Sequence, residues 1–191
     1  KLFSEVGYTG HQFIVETLEE RDGNIGNARR GNGIYRYSPA KKEWKNYRHN
    51  DLAPSSPPGN RLIRVYMDSE GRIWFCGECD GICRYRPESD SFESFGVNEG
   101  LPNSVYYGIL DDGAGNLWLS SNQGIIKYNP GLRTHIRYTT EDGLPSNQLN
   151  FRPPFQAADG PSYFVVLNGF DQFTPFPSPS TKAHPNHPHS S

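Results

Sequence analysis

Residues Ser104–Asn147 read SVYYGILDDGAGNLWLSSNQGIIKYNPGLRTHIRYTTEDGLPSN. The preceding stretch, Arg61–Asn103, reads RLIRVYMDSEGRIWFCGECDGICRYRPESDSFESFGVNEGLPN and corresponds to it along its whole length. A period of ~40–50 residues is typical of one blade of a β-propeller and is too long for ankyrin or tetratricopeptide repeats. The repeat therefore decides the fold prediction before any single residue is interpreted.

Turn glycines extend the repeat to four copies. A first set is separated by 48, 44 and 45 residues, and a second set follows it along the chain. The members of the two sets are Gly23, Gly71, Gly115 and Gly160, and then Gly33, Gly81, Gly124 and Gly169. Because glycine adopts positive φ at no steric cost, such positions fit tight turns between strands.

Each unit divides into four strands by its alternation and its turn residues. In the third copy these are predicted at Val105–Leu110, Asn116–Ser121, Gly124–Tyr128 and His135–Tyr138. Trp74 and Trp118 occupy the same place in the second strand, where a large aromatic side chain fills the space between neighbouring sheets. We therefore predict an all-β fold, a β-propeller of about four blades, each a four-stranded antiparallel meander.

The copies also predict the boundaries along the chain. Residues 1–10 are the end of a preceding blade, 11–60 a degenerate first blade, 61–103 and 104–147 two full blades, and 148–175 a partial fourth blade. Residues 176–191, rich in Pro, Ser and His, are a tail that is disordered or was added for expression.

Composition and charge argue against several partners. The formal net charge is -2, from 19 basic and 21 acidic residues in close mixture, so no basic surface for nucleic acid is indicated. No apolar run reaches the roughly 18 residues of a membrane helix, so no membrane contact is expected within this segment. No cofactor motif is present, and we expect no cofactor.

The three cysteines, Cys76, Cys79 and Cys83, lie in one short segment. The first two have CxxC spacing, but a structural zinc site usually needs four ligands and no second pair is present, so no metal is predicted. We expect Cys76 and Cys83 to pack as small apolar side chains on neighbouring strands, with Cys79 in the turn between them. Their redox state is left open.

The third copy resembles the two-component regulator propeller repeat. The resemblance rests on Val105–Asp111, Gly115–Leu119 and Gly124–Tyr128, on the linkers Glu99–Asn103 and Asp142–Asn147, and on the closing stretch Asn168–Pro175. This family forms the extracytoplasmic sensing region of bacterial hybrid two-component systems, especially in gut Bacteroides. Its members are seven-bladed, which implies that these blades are part of a larger propeller.

The resemblance implies a periplasmic, ligand-sensing function without catalysis. Oligosaccharide or another small ligand is the expected partner, and a histidine kinase outside this chain would carry the signal. The ring would be completed by further repeats or by another copy of the chain, as in a homodimer. Two alternatives remain: a protein–protein interaction scaffold, and a propeller enzyme such as a polysaccharide lyase or glycosidase.

Candidate ligand-binding residues lie where the linkers enter the innermost strands. Amide and guanidinium groups can hydrogen-bond hydroxyls or carboxylates, and tyrosine can stack on a sugar ring. The set is Asn60, Arg61, Arg64, Asn103, Tyr106, Tyr107, Asn147, Asn150 and Arg152. Asparagine at such sites also caps turns, and one of the two adjacent tyrosines must point into the blade stack. No catalytic residue is predicted, because Asp111, Asp112 and Asp142 are expected at solvated turns.

Overall fold

The computed structural model describes residues 14–29, 31–149, 154–156, 162–166 and 169–173. The predictions for residues 1–10, for the tail 176–191 and for Gly160 fall outside these ranges. Within them the strands form four antiparallel sheets, each ordered as a simple meander. The prediction of an all-β propeller is confirmed.

Each sheet is one blade. Blade 1 contains β1 (Ile14–Glu19), β2 (Ile25–Arg29), β3 (Gly33–Ser38) and β4 (Glu43–Tyr47). Blade 2 contains β5 (Leu62–Met67), β6 (Ile73–Gly77), β7 (Ile82–Arg86) and β8 (Ser91–Phe95). Blade 3 contains β9 (Gly108–Asp111), β10 (Leu117–Ser121), β11 (Gly124–Asn129) and β12 (Thr134–Tyr138). Blade 4 contains β13 (Phe155–Gln156), β14 (Ser162–Val166) and β15 (Gly169–Phe173) within the described ranges.

One predicted strand begins later than expected. The first strand of the third copy was predicted at Val105–Leu110, but β9 begins only at Gly108. Val105 instead forms an isolated bridge with Glu78 of blade 2, and the Tyr106 N–H donates to the Gly77 carbonyl at 3.1 Å. The start of the apolar run is therefore used to join two blades rather than to extend the innermost strand.

Apolar side chains fill the spaces between blades. Trp74 is fully buried in a cluster that joins blade 2 to blade 3, together with Phe95 and Leu119. Trp118 has the same place in the next cluster, where it packs with Phe164 of blade 4. The alternation of β6 places the neighbouring Phe75 in the cluster shared with blade 1. Both tryptophans therefore pack between blades, as their repeated position predicts.

A buried carboxylate holds the turn between the first and second strands. Oδ1 of Asp68 accepts from the N–H groups of Glu70 and Arg72, at 3.1 and 2.8 Å. Oδ2 accepts from Arg72 Nε at 2.6 Å and from the Trp74 indole N–H at 2.7 Å. In blade 3, Asp112 bonds the N–H groups of Ala114 and Asn116 in the same way. The turn and the inter-blade tryptophan of blade 2 are thus fixed by one side chain.

Linkers join each blade to the hairpin of the blade before it. The Gly124 N–H in blade 3 donates to the carbonyl of Asn147, in the linker towards blade 4, at 2.7 Å. The Gly81 N–H of blade 2 donates to Ser104 in the same manner, at 2.9 Å. Gly124 has a φ of 102°, and a Cβ there would overlap the Tyr138 carbonyl. Only glycine fits this position without strain.

One position of the innermost strand differs sharply between blades. Glu16, Arg64 and Gly108 are equivalent, since each pairs with the fourth residue of its second strand. The Glu16 carboxylate accepts the Val65 N–H of the next blade at 2.9 Å. Arg64 is buried and donates to the Ile63 carbonyl. A Cβ on Gly108 would overlap Pro154 of the segment leading into blade 4. This position therefore faces the following blade each time.

All three cysteines are buried and unpaired. Cys76 lies on β6 in the cluster shared with blade 3, whereas Cys83 lies on β7 in the cluster shared with blade 1. Cys79 lies in the turn between these strands, as expected. Because Cys76 and Cys83 face opposite sides of the same sheet, they pack as apolar side chains and are not placed to form a disulfide.

Candidate functional site

The meander order gives the blades two distinct faces. The linkers 48–61, 96–107 and 139–149 lie at the same end as the turns between second and third strands, and we call this end the linker face. The turns between first and second strands, and between third and fourth strands, form the opposite end, the turn face. The sequence-predicted ligand residues were assigned to the linker face.

Two of the predicted asparagines, Asn60 and Asn147, form hydrogen bonds within the linker face. Asn60 Oδ1 accepts the His49 N–H at 2.9 Å, and its carbonyl accepts the Gly33 N–H at 3.0 Å. Asn147 Oδ1 accepts the Thr140 N–H at 2.8 Å. These bonds fix the linkers, which is the turn-capping function considered for asparagine at such sites.

Asn103 and Tyr106 of the predicted set are buried. Asn103 is 8% exposed and donates through Nδ2 to Ser121 Oγ at 3.1 Å. Tyr106 is fully buried in the inter-blade cluster, and its hydroxyl accepts the Asn103 N–H at 3.1 Å. Of the two adjacent tyrosines, Tyr106 therefore points into the blade stack and Tyr107 stays partly exposed.

The predicted arginines differ in exposure. Arg64 is 7% exposed and lies in the inter-blade joint. The Arg61 side chain is 56% exposed and forms an ion pair with Glu78 on the linker face. Asn150 and Arg152 lie outside the described residues. The structure thus leaves Arg61, Tyr107 and the partly exposed Asn60 and Asn147 as the accessible members of the predicted set.

The carboxylates considered for catalysis form hydrogen bonds within their own turns or with a neighbouring blade. Asp112 was expected at a solvated turn, but it is buried at 6% exposure because it bonds the N–H groups of its own turn. Asp111 contacts Tyr66 and Ser69 of blade 2. The Asp142 carboxylate accepts the Thr139 N–H at 2.9 Å and closes a short helical turn. No cluster of three metal-ligating side chains occurs in the part of the chain that the structure describes.

A second polar region lies on the turn face, between blades 1 and 2. There a cavity of about 460 Å³, here called the inter-blade groove, is lined by five arginines and four acidic residues. Arg36 bonds Glu20 through Nε and Nη2, at 2.9 and 2.6 Å, and reaches Asp22 at 3.0 Å. Its guanidinium lies 5.0 Å from the centre of the Tyr85 ring of blade 2.

The opposite wall of the groove comes from blade 2. Arg86 bonds Glu93 at 2.7 Å and lies 3.7 Å from Glu88. Arg72 lies 3.0 Å from Glu70, and Arg84 bonds Glu93 at 2.6 Å. Four of the five lining arginines thus have an acidic partner, whereas Arg21 bonds the carbonyl oxygens of Ser69 and Glu70. Glu93 itself lies beside the groove rather than in its lining.

Ion pairs and hydrogen bonds set the protonation of Arg36 and Asp22 in the groove and of Glu93 beside it at neutral pH. The hydrogen bonds and charge of Glu20 raise the pKa of Arg36. Burial alone would raise the pKa of Asp22, but bonds from Asn24 and the charge of Arg36 outweigh it, so that this pKa is lowered. Burial would also raise the pKa of Glu93, but the hydrogen bonds and charges of Arg84 and Arg86 outweigh it, so that this pKa is lowered as well. These two carboxylates and Arg36 are thus held in their charged forms.

Sequence reasoning missed this groove. Apart from Arg36 and Arg84, its arginines sit at different places in the repeat, and the side chains of blades 1 and 2 meet only because these blades stack. One signal was available: Arg36, Arg84 and Lys127 occupy the same position of the third strand, next to a tyrosine in each copy. A cation repeated at the period of the blades predicts a charged row between them.

Comparison with known proteins agrees with the repeat. The two-component regulator propeller family model matches residues 100–123. Histidine kinase P4 of Formosa agariphila is 32% identical over 118 residues, which cover 61% of this chain and 8% of the kinase. The chain thus spans a small part of this relative's length.

Solved structures show the same fold. The extracellular domain of the hybrid two-component system BT3049 from B. thetaiotaomicron superposes with a TM-score of 0.75 at 15% identity, covering 85% of this chain and 22% of that one. The corresponding domain of BT4673 from the same organism gives 0.73 at 22% identity, covering 91% and 25%.

The stacked meanders and their inter-blade tryptophans define a β-propeller protein. The resemblance to the two-component regulator propeller repeat is confirmed at residues 100–123, which the family model matches. No helix in the described ranges is both long and apolar enough to span a membrane.

Proposed function

We propose that this chain is a segment of the extracytoplasmic sensor region of a hybrid two-component system, where it recognises carbohydrate and signals to a kinase outside the chain. One observation carries the proposal: residues 100–123 match the two-component regulator propeller model, and they lie within a series of meanders that follow one another along the chain. The likeness to the extracellular domains of BT3049 and BT4673 supports a periplasmic location. The 32% identity to a histidine kinase supports the signalling partner.

The segment is non-catalytic in this proposal. A glycosidase needs two carboxyl groups about 5–10 Å apart across a cleft. The acids at the turns of blade 3 are instead occupied by backbone N–H groups and by Tyr66. Recognition would rest on side chains that remain accessible, with oligosaccharide as the ligand class and no cofactor.

Calorimetric titration tests the sensing function. The purified chain, with its mass checked by light scattering, would be titrated with plant and host oligosaccharides. Saturable binding to one class is expected. If the folded chain binds none of them, carbohydrate sensing by this segment is wrong.

A scaffold function is the second candidate, because blade 3 exposes apolar side chains. Leu132 is 74% exposed in the last turn of this blade, and Ile136 is 55% exposed on β12. Such exposure is common for single residues, and contiguous patches are the better mark of a protein interface. Concentration-dependent association that Ile136→Ser abolishes would favour this candidate, including a homodimer of the chain.

A further inference from the structure

Two equivalent cavities lie on the turn face, further out than the inter-blade groove. One lies between blades 1 and 2 and the other between blades 2 and 3, with volumes of about 490 and 480 Å³, and we call them the 1–2 cavity and the 2–3 cavity. Lys45 and Asp90 line the 1–2 cavity, and Glu93 and Arg133 hold the same places of the repeat in the 2–3 cavity. The charges at these two places are thus exchanged between the joints.

The register of the blades establishes this equivalence. Lys45 and Glu93 are each the third residue of an outer strand, β4 or β8. Asp90 and Arg133 each immediately precede an outer strand, β8 or β12, and have a positive φ of 50° and 55°. Residues other than glycine seldom adopt this conformation. The 1–2 cavity therefore shows what a carboxylate does at a place where the 2–3 cavity has a cation.

In the 1–2 cavity the Asp90 carboxylate joins two blades. It accepts from Lys45 and from the Tyr47 hydroxyl of blade 1, and from the Tyr85 hydroxyl of blade 2 at 2.8 Å. A carboxylate at this joint is held by one cation and two hydroxyl groups.

The 2–3 cavity has no such bridge among the residues that the structure describes. Its lining there contains three arginines, Arg72, Arg84 and Arg133, and one acidic residue, Glu93. Glu93 is bonded within its own sheet, by Arg84 at 2.6 Å and by Arg86 at 2.7 Å. The exposed Arg133 guanidinium forms neither a hydrogen bond nor an ion pair with any described residue. One cation of the cavity is therefore left for an external partner.

The other two arginines of the 2–3 cavity are held in place. Arg72 and Arg84 lie 5.9 and 5.6 Å from the centre of the Trp74 ring. Arg72 also bonds the buried Asp68 at 2.6 Å and lies 3.0 Å from Glu70. Because a guanidinium has five N–H donors, both arginines keep donors beyond these bonds. Groups that are already fixed lose little freedom when a ligand binds them.

We propose that the 2–3 cavity binds the carboxylate group of a small organic acid, with Arg133 as its main contact. The ligand carboxylate would join blades 2 and 3 as Asp90 joins blades 1 and 2. A planar guanidinium suits a carboxylate because it can donate two parallel N–H bonds to it. The volume of the cavity lies in the range of roughly 300–1,000 Å³ that is usual for small ligands. This site goes beyond the proposed sensing function and does not depend on recognition of carbohydrate.

Two variants with the same change of charge locate the site. Arg133→Gln removes the cation from the 2–3 cavity. Lys42→Gln is the matched control, because Lys42 holds the same turn position in blade 1, is exposed, has a φ of 54° and lines neither cavity. Both variants and the wild type would be titrated calorimetrically with succinate, sulfate and phosphate. Sodium chloride would keep the ionic strength equal throughout, since screening alone changes the attraction between exposed charges.

We expect the wild type to bind succinate saturably and more tightly than sulfate or phosphate. Arg133→Gln should weaken this binding by roughly tenfold or more, which is the effect of losing a charge-assisted hydrogen bond. Lys42→Gln should bind like the wild type. Arg133→Lys, which keeps the charge without the planar fork, should lose less than Arg133→Gln and gives a second reading should the glutamine variant unfold.

Three results would overturn the site or its ligand class. If the folded wild type binds none of the three anions, the site is wrong. If both glutamine variants lose binding equally, the anion responds to overall charge and not to the 2–3 cavity. If phosphate or sulfate binds best, the carboxylate is the wrong class of anion. None of these results bears on carbohydrate sensing, which the titration with oligosaccharides tests separately.

Discussion

The hydroxyl of Tyr66 in blade 2 donates a hydrogen bond to the carboxylate of Asp111 in blade 3, with Oη and Oδ1 2.6 Å apart. The same hydroxyl accepts the Asp111 N–H at 3.2 Å, and Ser69 Oγ donates to the second carboxylate oxygen at 2.5 Å. Two blades whose shared core is apolar are thus also joined by a polar contact at the turn face. Burial, followed by the hydrogen bond to Asp111, raises the pKa of the Tyr66 phenol.

Removing this hydroxyl should weaken the joint between the blades. Tyr66→Phe leaves the Asp111 N–H and carboxylate without that partner, so we expect the free energy of unfolding to fall by about 1–2 kcal/mol. Urea denaturation measures the loss. A double-mutant cycle with Asp111→Ala is the control, and additive losses would show that the two side chains do not stabilise each other.

Two glycines with similar dihedral angles should differ in their tolerance of alanine. Gly115 has a φ of 88° and nothing lies within 4 Å of a Cβ placed there, so Gly115→Ala should cost about 1–2 kcal/mol from backbone strain alone. Gly124→Ala should cost clearly more, because its Cβ would overlap the Tyr138 carbonyl. Equal losses in urea denaturation would contradict this assignment of the repeat glycines.

Glu16 should make stability depend on pH in the acidic range. Burial raises the pKa of Glu16, and the Val65 N–H and Arg64 only partly oppose the shift. A raised folded-state pKa means that the folded chain binds this proton more tightly than the unfolded chain does. The contribution is therefore fully present below the unfolded pKa of roughly 4.3 and is lost as pH rises through the folded pKa.

Glu16→Gln tests the predicted direction of this pH dependence, since the amide oxygen can still accept the Val65 N–H without a buried charge. We expect the variant to gain stability relative to the wild type between pH 4 and pH 7, as followed by urea denaturation at several pH values. Glu70→Gln, an exposed carboxylate on the turn face, is the control. If the stability of the variant relative to the wild type falls as pH rises, the ionised form of Glu16 is the stabilising one and the prediction is wrong.

The thiols should be inert in the folded chain. Burial raises the pKa of Cys76 and of Cys83 well above the usual range, and it raises the pKa of Cys79 to about 12. Because the thiolate is the reactive form, labelling by a disulfide reagent at pH 8 should proceed only as fast as the chain unfolds. Rapid labelling of any thiol without denaturant would contradict the packing described for blade 2.

Local signals predicted the fold well. Gly71 and Gly81 lie in hairpin turns, and Trp74 recurs at the position of Trp118, so comparison of the copies along the sequence was enough to interpret them. The candidate site was harder, because its chemistry is decided between blades. Nothing in the linker sequence tells whether Asn147 faces solvent or accepts the Thr140 N–H. Arg36 likewise meets Tyr85 of the next blade only when the sheets are stacked in order.

The position shared by Glu16, Arg64 and Gly108 gives each blade an individual identity. The Glu16 carboxylate accepts a backbone N–H of blade 2, and Gly108, which has no side chain, leaves room for the ring of Pro154. A chain in which blade 2 was copied into the place of blade 3 would set an arginine against that ring. The repeats look interchangeable in sequence, yet shuffling or duplicating them would leave mismatched neighbours, so the order of the blades is itself encoded.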